Sequence, residues 1–96
     1  MELLVTYDVA TDNLAGRRRL RHVADLCEAH GQRVQKSVFE CTLDDGQLEV
    51  LRHKLGKEID PEEDSLRIYR LREPRERFLQ VLGRKPEFDL HEPLVF

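Results

Sequence analysis

Residues 3–13 read LLVTYDVATDN, a β-forming run that ends by placing Asp8 directly after Thr6 and Tyr7. Carboxylates are poor strand residues and are rarely buried without a partner. Strand side chains alternate with period two, so Met1, Leu3, Val5, Tyr7 and Val9 share one face. Glu2, Leu4, Thr6 and Asp8 share the other. The first face is expected to pack on helices, which leaves Asp8 on the opposite side of the sheet at the strand's C-terminal end. By residue type alone, such an aspartate is either a turn or capping residue or part of a polar site.

The chain then turns to helical spacing. TDN at 11–13 offers cap residues, with Asp12 the expected N-cap, and a helix is predicted over about 14–30. Leu20, Val23, Ala24 and Cys27 form its buried stripe, and Gly31 suits the position just past its end. Arg17, Arg18, Arg19 and Arg21 fall outside that stripe. RVQKSVFECTL at 33–43 is rich in β formers but has no clean face as one strand, so two short strands meeting near Lys36 and Ser37 are predicted. Asp44 and Gln47 have the spacing of a capping box, and Leu48, Leu51, Leu55 and Ile59 mark one side of a second helix. SLRIYRLRE supplies a strand over about 65–72, with Leu66 and Ile68 on one face and Tyr69 and Leu71 on the other. Apolar groups on both faces require cover on both, and a second subunit is the economical cover for the face without helices. The order β-α-β-β-α-β is that of a ferredoxin-like α+β sandwich. FLQVLG at 78–83 is predicted to add a short C-terminal strand, and the PLVF terminus suits either a frayed end or an edge strand donated to a neighbour. The chain is read as one domain over 1–96, with 75–96 an extension that packs on the partner subunit.

Composition bounds the function. With 96 residues, 40% hydrophobic and 36% charged, the chain has room for one modest core. Its longest uninterrupted aliphatic run, LLV at 3–5, is far below a membrane span, and no signal-peptide pattern opens it. Cys27 and Cys41 form no CxxC pair, so reduced thiols and a cytoplasmic location are expected. The net charge of −3 argues against a nucleic-acid partner, but its distribution does not. GRRRLRH at 16–22 holds four arginines and no acid, while acids gather in EIDPEED at 58–64. That asymmetry suits either a solvated helix face or a local phosphate-binding patch.

Asp8 leads the chemical candidates. A strand-end carboxylate beside a basic helix can hold a divalent ion through hard oxygen contacts, and a two-fold axis would bring a second copy into the same cleft. His22, His30, His53 and His91 share no HxH or HxxxH spacing, and no GxSxG or Walker loop is present. Ser37, Phe39 and Tyr69 suit either a nucleic-acid contact or, for the aromatics, a core or interface role.

Together these residues resemble the CRISPR-associated protein two family. The resemblance is carried by Tyr7-Asp8-Val9 at the end of an apolar strand and by the basic helix with Arg17 and Arg19. It continues through the VQxSVFE block of Val34, Gln35, Ser37, Val38, Phe39 and Glu40, then Asp64 to Tyr69, then Leu82-Gly83. The resemblance implies a ferredoxin-like homodimer whose paired Asp8 carboxylates are catalytic and bind Mg²⁺. It also implies nucleic-acid contacts at Arg17, Arg18, Arg19, Arg33, Ser37 and Phe39, with Phe39 stacking on a nucleotide. Two activities follow from it: a magnesium-dependent endonuclease on single-stranded RNA or double-stranded DNA, or a non-catalytic DNA-binding scaffold bridging dimers of the CRISPR integrase in spacer acquisition. Ribonuclease toxins of the same fold are a further alternative.

Overall fold

The computed structural model describes residues 1–83. The elements run β1 (Glu2–Asp8), α1 (Leu14–His30), β2 (Gly31–Gln35), β3 (Val38–Thr42), α2 (Asp45–Glu58), β4 (Ser65–Arg70) and a single helical turn, α3 (Arg75–Phe78). The four strands form one antiparallel sheet in the order β2-β3-β1-β4. This is the expected ferredoxin-like α+β arrangement. α1 and α2 cover one face.

The alternation in β1 decides what lies between the layers. Leu3, Val5, Tyr7 and Val9 are buried, joined by Phe39, Cys41 and Leu43 from β3 and its exit. Val23 and Cys27 of α1 and Leu51 and Leu55 of α2 close the core from above. Leu66 and Ile68 of β4 pair with Tyr7 and Val5 and pack at its margin.

The predicted break in 33–43 is present, with a turn at Lys36–Ser37 between β2 and β3. The Asp44–Gln47 capping box closes in both directions, at 2.8 and 2.9 Å. Three details differ from expectation. Asn13, not Asp12, caps α1: its side-chain Oδ1 accepts from the Gly16 N–H at 2.8 Å. Gly31 is extended (φ −162°, ψ −164°) and runs straight into β2 without a left-handed stop. A Cβ there would collide with Cys41 Sγ and the Glu40 carbonyl, so close approach, not helix termination, accounts for the glycine. Finally, FLQVLG forms no strand: Arg75–Phe78 is the α3 turn, and residues 79–83 pair with no described strand. Arg75 reaches Glu2 and Glu40 at 3.5 and 3.4 Å, which draws this segment onto the sheet face instead of alongside an edge. The PLVF terminus lies outside the described residues. No helix among them is long and apolar enough to cross a membrane.

Candidate functional site

Tyr7 and Asp8 are adjacent in sequence and opposite in environment. Tyr7 points into the helix-covered layer, where it stacks on Phe39 with ring centroids 6.2 Å apart. Burial is the main cause that pushes its phenol up to about 12. Asp8 points to the uncovered face and is exposed. Among the described residues its side chain makes no hydrogen bond or ion pair. The uncovered face carries Leu4 and Val38, both half-buried, and Tyr69, which is exposed and directly opposite Leu4.

Two segments flank Asp8 at the sheet's end. On one side is Ser65, its register partner in β4. On the other is the Lys36–Ser37 turn, where the Ser37 carbonyl accepts from the Tyr7 N–H at 3.1 Å and the Lys36 carbonyl from the Tyr7 hydroxyl at 3.4 Å. The Ser37 backbone therefore lies against Tyr7, the residue before Asp8. The chain leaves Asp8 through Val9 and Ala10 and enters α1, whose first turns carry the arginines.

Those arginines separate by environment. Arg17 and Arg18 are exposed, and Arg17 reaches back to the Thr11 carbonyl at 3.5 Å. Arg19 corrects the expected basic patch. Its guanidinium grips Asp64 through two hydrogen bonds, Nε at 2.8 Å and Nη2 at 3.2 Å, so its charge is engaged inside the fold. The Asp64 side chain has 0% exposure against 19% for Arg19. Arg19's hydrogen bonds are the main cause holding the Asp64 carboxyl below the ordinary aspartate range, and burial opposes them. The same contact raises the Arg19 guanidinium further.

Phe39 is a second correction. It is 0% exposed and lies between Tyr7 and Arg33, so it has no face for a nucleotide base. Arg33 is directly opposite Phe39 in the β2–β3 register and therefore faces the helices. Its guanidinium lies 5.0 Å from the ring centroid and pairs with Glu28 of α1 at 3.5 Å. Arg33 thus ties β2 to α1 and has little surface left for a phosphate.

The sequence shows Asp64 within the acidic EIDPEED run and within the resemblance, with no task in either. The available signal was its place immediately before a strand, which is where a side-chain oxygen can gather loop amides. The ion pairs of Arg75 with Glu2 and Glu40 had no local signal. As a metal site, one chain contributes one hard oxygen donor, and no group of three or more metal-ligating side chains exists among the described residues. That donor set fits part of a shared site and not a whole one.

The CRISPR associated protein Cas2 family model matches residues 1–77. The chain belongs to the Cas2 family. A Moorella thermoacetica Cas2, named a CRISPR-associated endoribonuclease, is 53% identical over 95 residues, covering 99% of each chain. A Halalkalibacterium halodurans Cas2, named a CRISPR-associated endonuclease, is 50% identical over 96 residues, covering 100% of each. The crystal structure of Streptococcus pyogenes Cas2 at pH 6.5 superposes with a TM-score of 0.77 at 49% identity, covering 86% of this chain and 100% of that one. The expected family and fold both hold, and the Cas2 motif residues acquire distinct places: Tyr7 in the core, Asp8 outside it, and Arg19 against Asp64.

Proposed function

We propose that this Cas2 chain is a CRISPR-associated, magnesium-dependent endonuclease that works in the cytoplasm as a homodimer, on RNA or double-stranded DNA, alongside the CRISPR integrase in spacer acquisition. The observation that carries the proposal is Asp8: an exposed carboxylate at a strand end, unpaired among the described residues, on the sheet face that α1 and α2 leave bare. The half-buried Leu4 and Val38 and the exposed Tyr69 give a second copy an apolar surface to cover. A two-fold axis at that face would bring two Asp8 carboxylates together, and these would hold one Mg²⁺.

Held by the Asp8 carboxylates, Mg²⁺ would supply Lewis-acid chemistry toward a phosphate and a water. The rest falls to the chain. Asp8 supplies the negative oxygens that hold the ion. Arg17 and Arg18, exposed on the first turns of α1, neutralise phosphate charge and set the strand's position without reading its sequence. Ser37, beside the end of β1, offers a hydroxyl to the same backbone. Relatives named endoribonuclease and endonuclease support a nuclease role. The scaffold reading draws on the same exposed arginines, which require nothing of Asp8.

Asp8→Ala separates the two. We expect the purified variant to lose magnesium-dependent cleavage of both single-stranded RNA and double-stranded DNA. Cleavage that survives the substitution would sink the catalytic assignment. Spacer acquisition that persists in cells carrying a cleavage-dead Asp8→Ala protein would make the architectural role the physiological one.

A further inference from the structure

Asp64 is the most completely engaged carboxylate among the described residues, and one of the amides it holds, that of Ala10, lies two residues past Asp8. Its Oδ1 accepts from the Ala10 backbone N–H at 3.1 Å and from Arg19 Nη2 at 3.2 Å. Its Oδ2 accepts from the Asp60 backbone N–H at 2.8 Å and from Arg19 Nε at 2.8 Å. Each oxygen therefore takes one backbone N–H and one guanidinium N–H, and the side chain is fully enclosed.

The topology gives that arrangement a direction. Asp64 immediately precedes Ser65, the residue directly opposite Asp8 in the ladder. Ala10, the amide it grips, is two residues past Asp8. The other side of Ala10 is fixed as well: its carbonyl abuts Gly16 so closely that any Cβ there would overlap it. Gly16 is itself tied to the Asn13 cap. Ala10 is thus held by its N–H to the β4 side and by its carbonyl to α1, while Arg19 joins those two elements. The backbone after Asp8 and the strand opposite it both lead into one charge-assisted node.

We propose that the Arg19–Asp64 pair is the positioning device of the Asp8 site, fixing the turn after β1 so that the carboxylate is presented in one direction to a divalent ion. This inference rests on the reading of Asp8 as a metal ligand. Neither Arg19 nor Asp64 touches the ion or the nucleic acid. They act through Ala10 and Ser65. Such support matters because a ligand misplaced by an ångström on a loose turn binds its metal poorly even when its chemistry is intact.

The test measures Mn²⁺ binding by electron paramagnetic resonance and amide hydrogen exchange by NMR, on the full chain, below the unfolding transition of each variant. Asp8→Ala reads the metal assignment, and Asp64→Asn and Arg19→Lys read the positioning. We expect Asp8→Ala to lose the Mn²⁺ site, Asp64→Asn to weaken it about tenfold at unchanged stoichiometry, and Arg19→Lys to fall between, because a lysine can keep only part of the fork. In Asp64→Asn the Ala10 amide should exchange faster while the Val5 amide, deep in β1, stays protected. A merely structural pair would lower thermal stability and leave the Mn²⁺ midpoint of the folded protein unmoved. If Asp8→Ala loses Mn²⁺ while folded Asp64→Asn and Arg19→Lys bind like the wild type, the positioning role alone is overturned. If Asp8→Ala binds like the wild type, the metal reading falls and takes this inference with it. Should Asp64→Asn fail to fold, Arg19→Lys decides the same question.

Discussion

The Arg33 guanidinium lies over the Phe39 ring, 5.0 Å from its centroid, and both side chains are on the helix-covered side of the sheet. Two residues whose types suggest nucleic-acid contact instead join β2, β3 and α1.

The first prediction follows from that burial. Phe39→Ala should destabilise the fold by about 3–5 kcal/mol, the usual cost of emptying a buried aromatic site. Phe39→Leu should cost far less and keep nucleic-acid affinity, measured by fluorescence anisotropy on the folded protein. A folded Phe39→Leu protein that binds a single-stranded oligonucleotide tenfold more weakly would restore the stacking role.

The α1 arginines should divide in mutagenesis. Arg17→Ala and Arg18→Ala are exposed changes and should leave stability within about 0.5 kcal/mol. Each should weaken nucleic-acid binding and reduce the slope of log affinity against log salt by about one. Arg19→Ala strips the partner from an enclosed carboxylate and should lower stability in denaturant unfolding clearly more than either exposed change. Equal stability losses across the three would contradict this division.

Acid should expose the Asp64 contribution. The folded carboxyl sits below the ordinary value of 3.8, so folding favours its charged form. A group with a depressed folded pKa contributes stability that is fully present above its unfolded pKa and lost as pH falls through the folded one. The stability gap between wild type and Asp64→Asn should therefore be constant from pH 7 to about 5 and narrow only below about 4. Guanidinium titrations at several pH values measure it, and a gap that closes near neutrality would point to a different group.

Thiol chemistry should be silent in the native state. Cys27 and Cys41 are both buried, and burial raises the two thiols, Cys27 to about 12. Thiolate is the reactive form, so Ellman's reagent should label neither quickly in the folded protein and both after denaturation. Rapid labelling of one native thiol would reveal an opening between α1 and β3.

Much of this architecture was legible because it rests on local periodicity. Two-residue alternation placed Tyr7 inside and Asp8 outside, and the Asp44–Gln47 spacing announced the start of α2. What was illegible depended on distant partners. Arg33 comes to lie opposite Phe39 through a register shift between Arg33 and Gln35, and a bulge has no reliable signature in RVQKSVF. Arg19 reads like Arg17 and Arg18 until β4 brings Asp64 from 45 residues away. Asp12 and Asn13 are both good caps, and only backbone geometry chooses between them. The apolar pattern of FLQVLG carries no information about the ion pairs that hold Arg75 across Glu2 and Glu40.

The alternation of β1 also makes the site intolerant of insertion. Adding or removing one residue between Leu3 and Tyr7 would reverse parity, driving a carboxylate into the helix layer and a phenol onto the bare face. Homologous chains that keep this chemistry must therefore vary the first strand by substitution alone, and length changes should accumulate in the loops. The distance from Leu3 to Asp8, counted in residues, is itself part of the site.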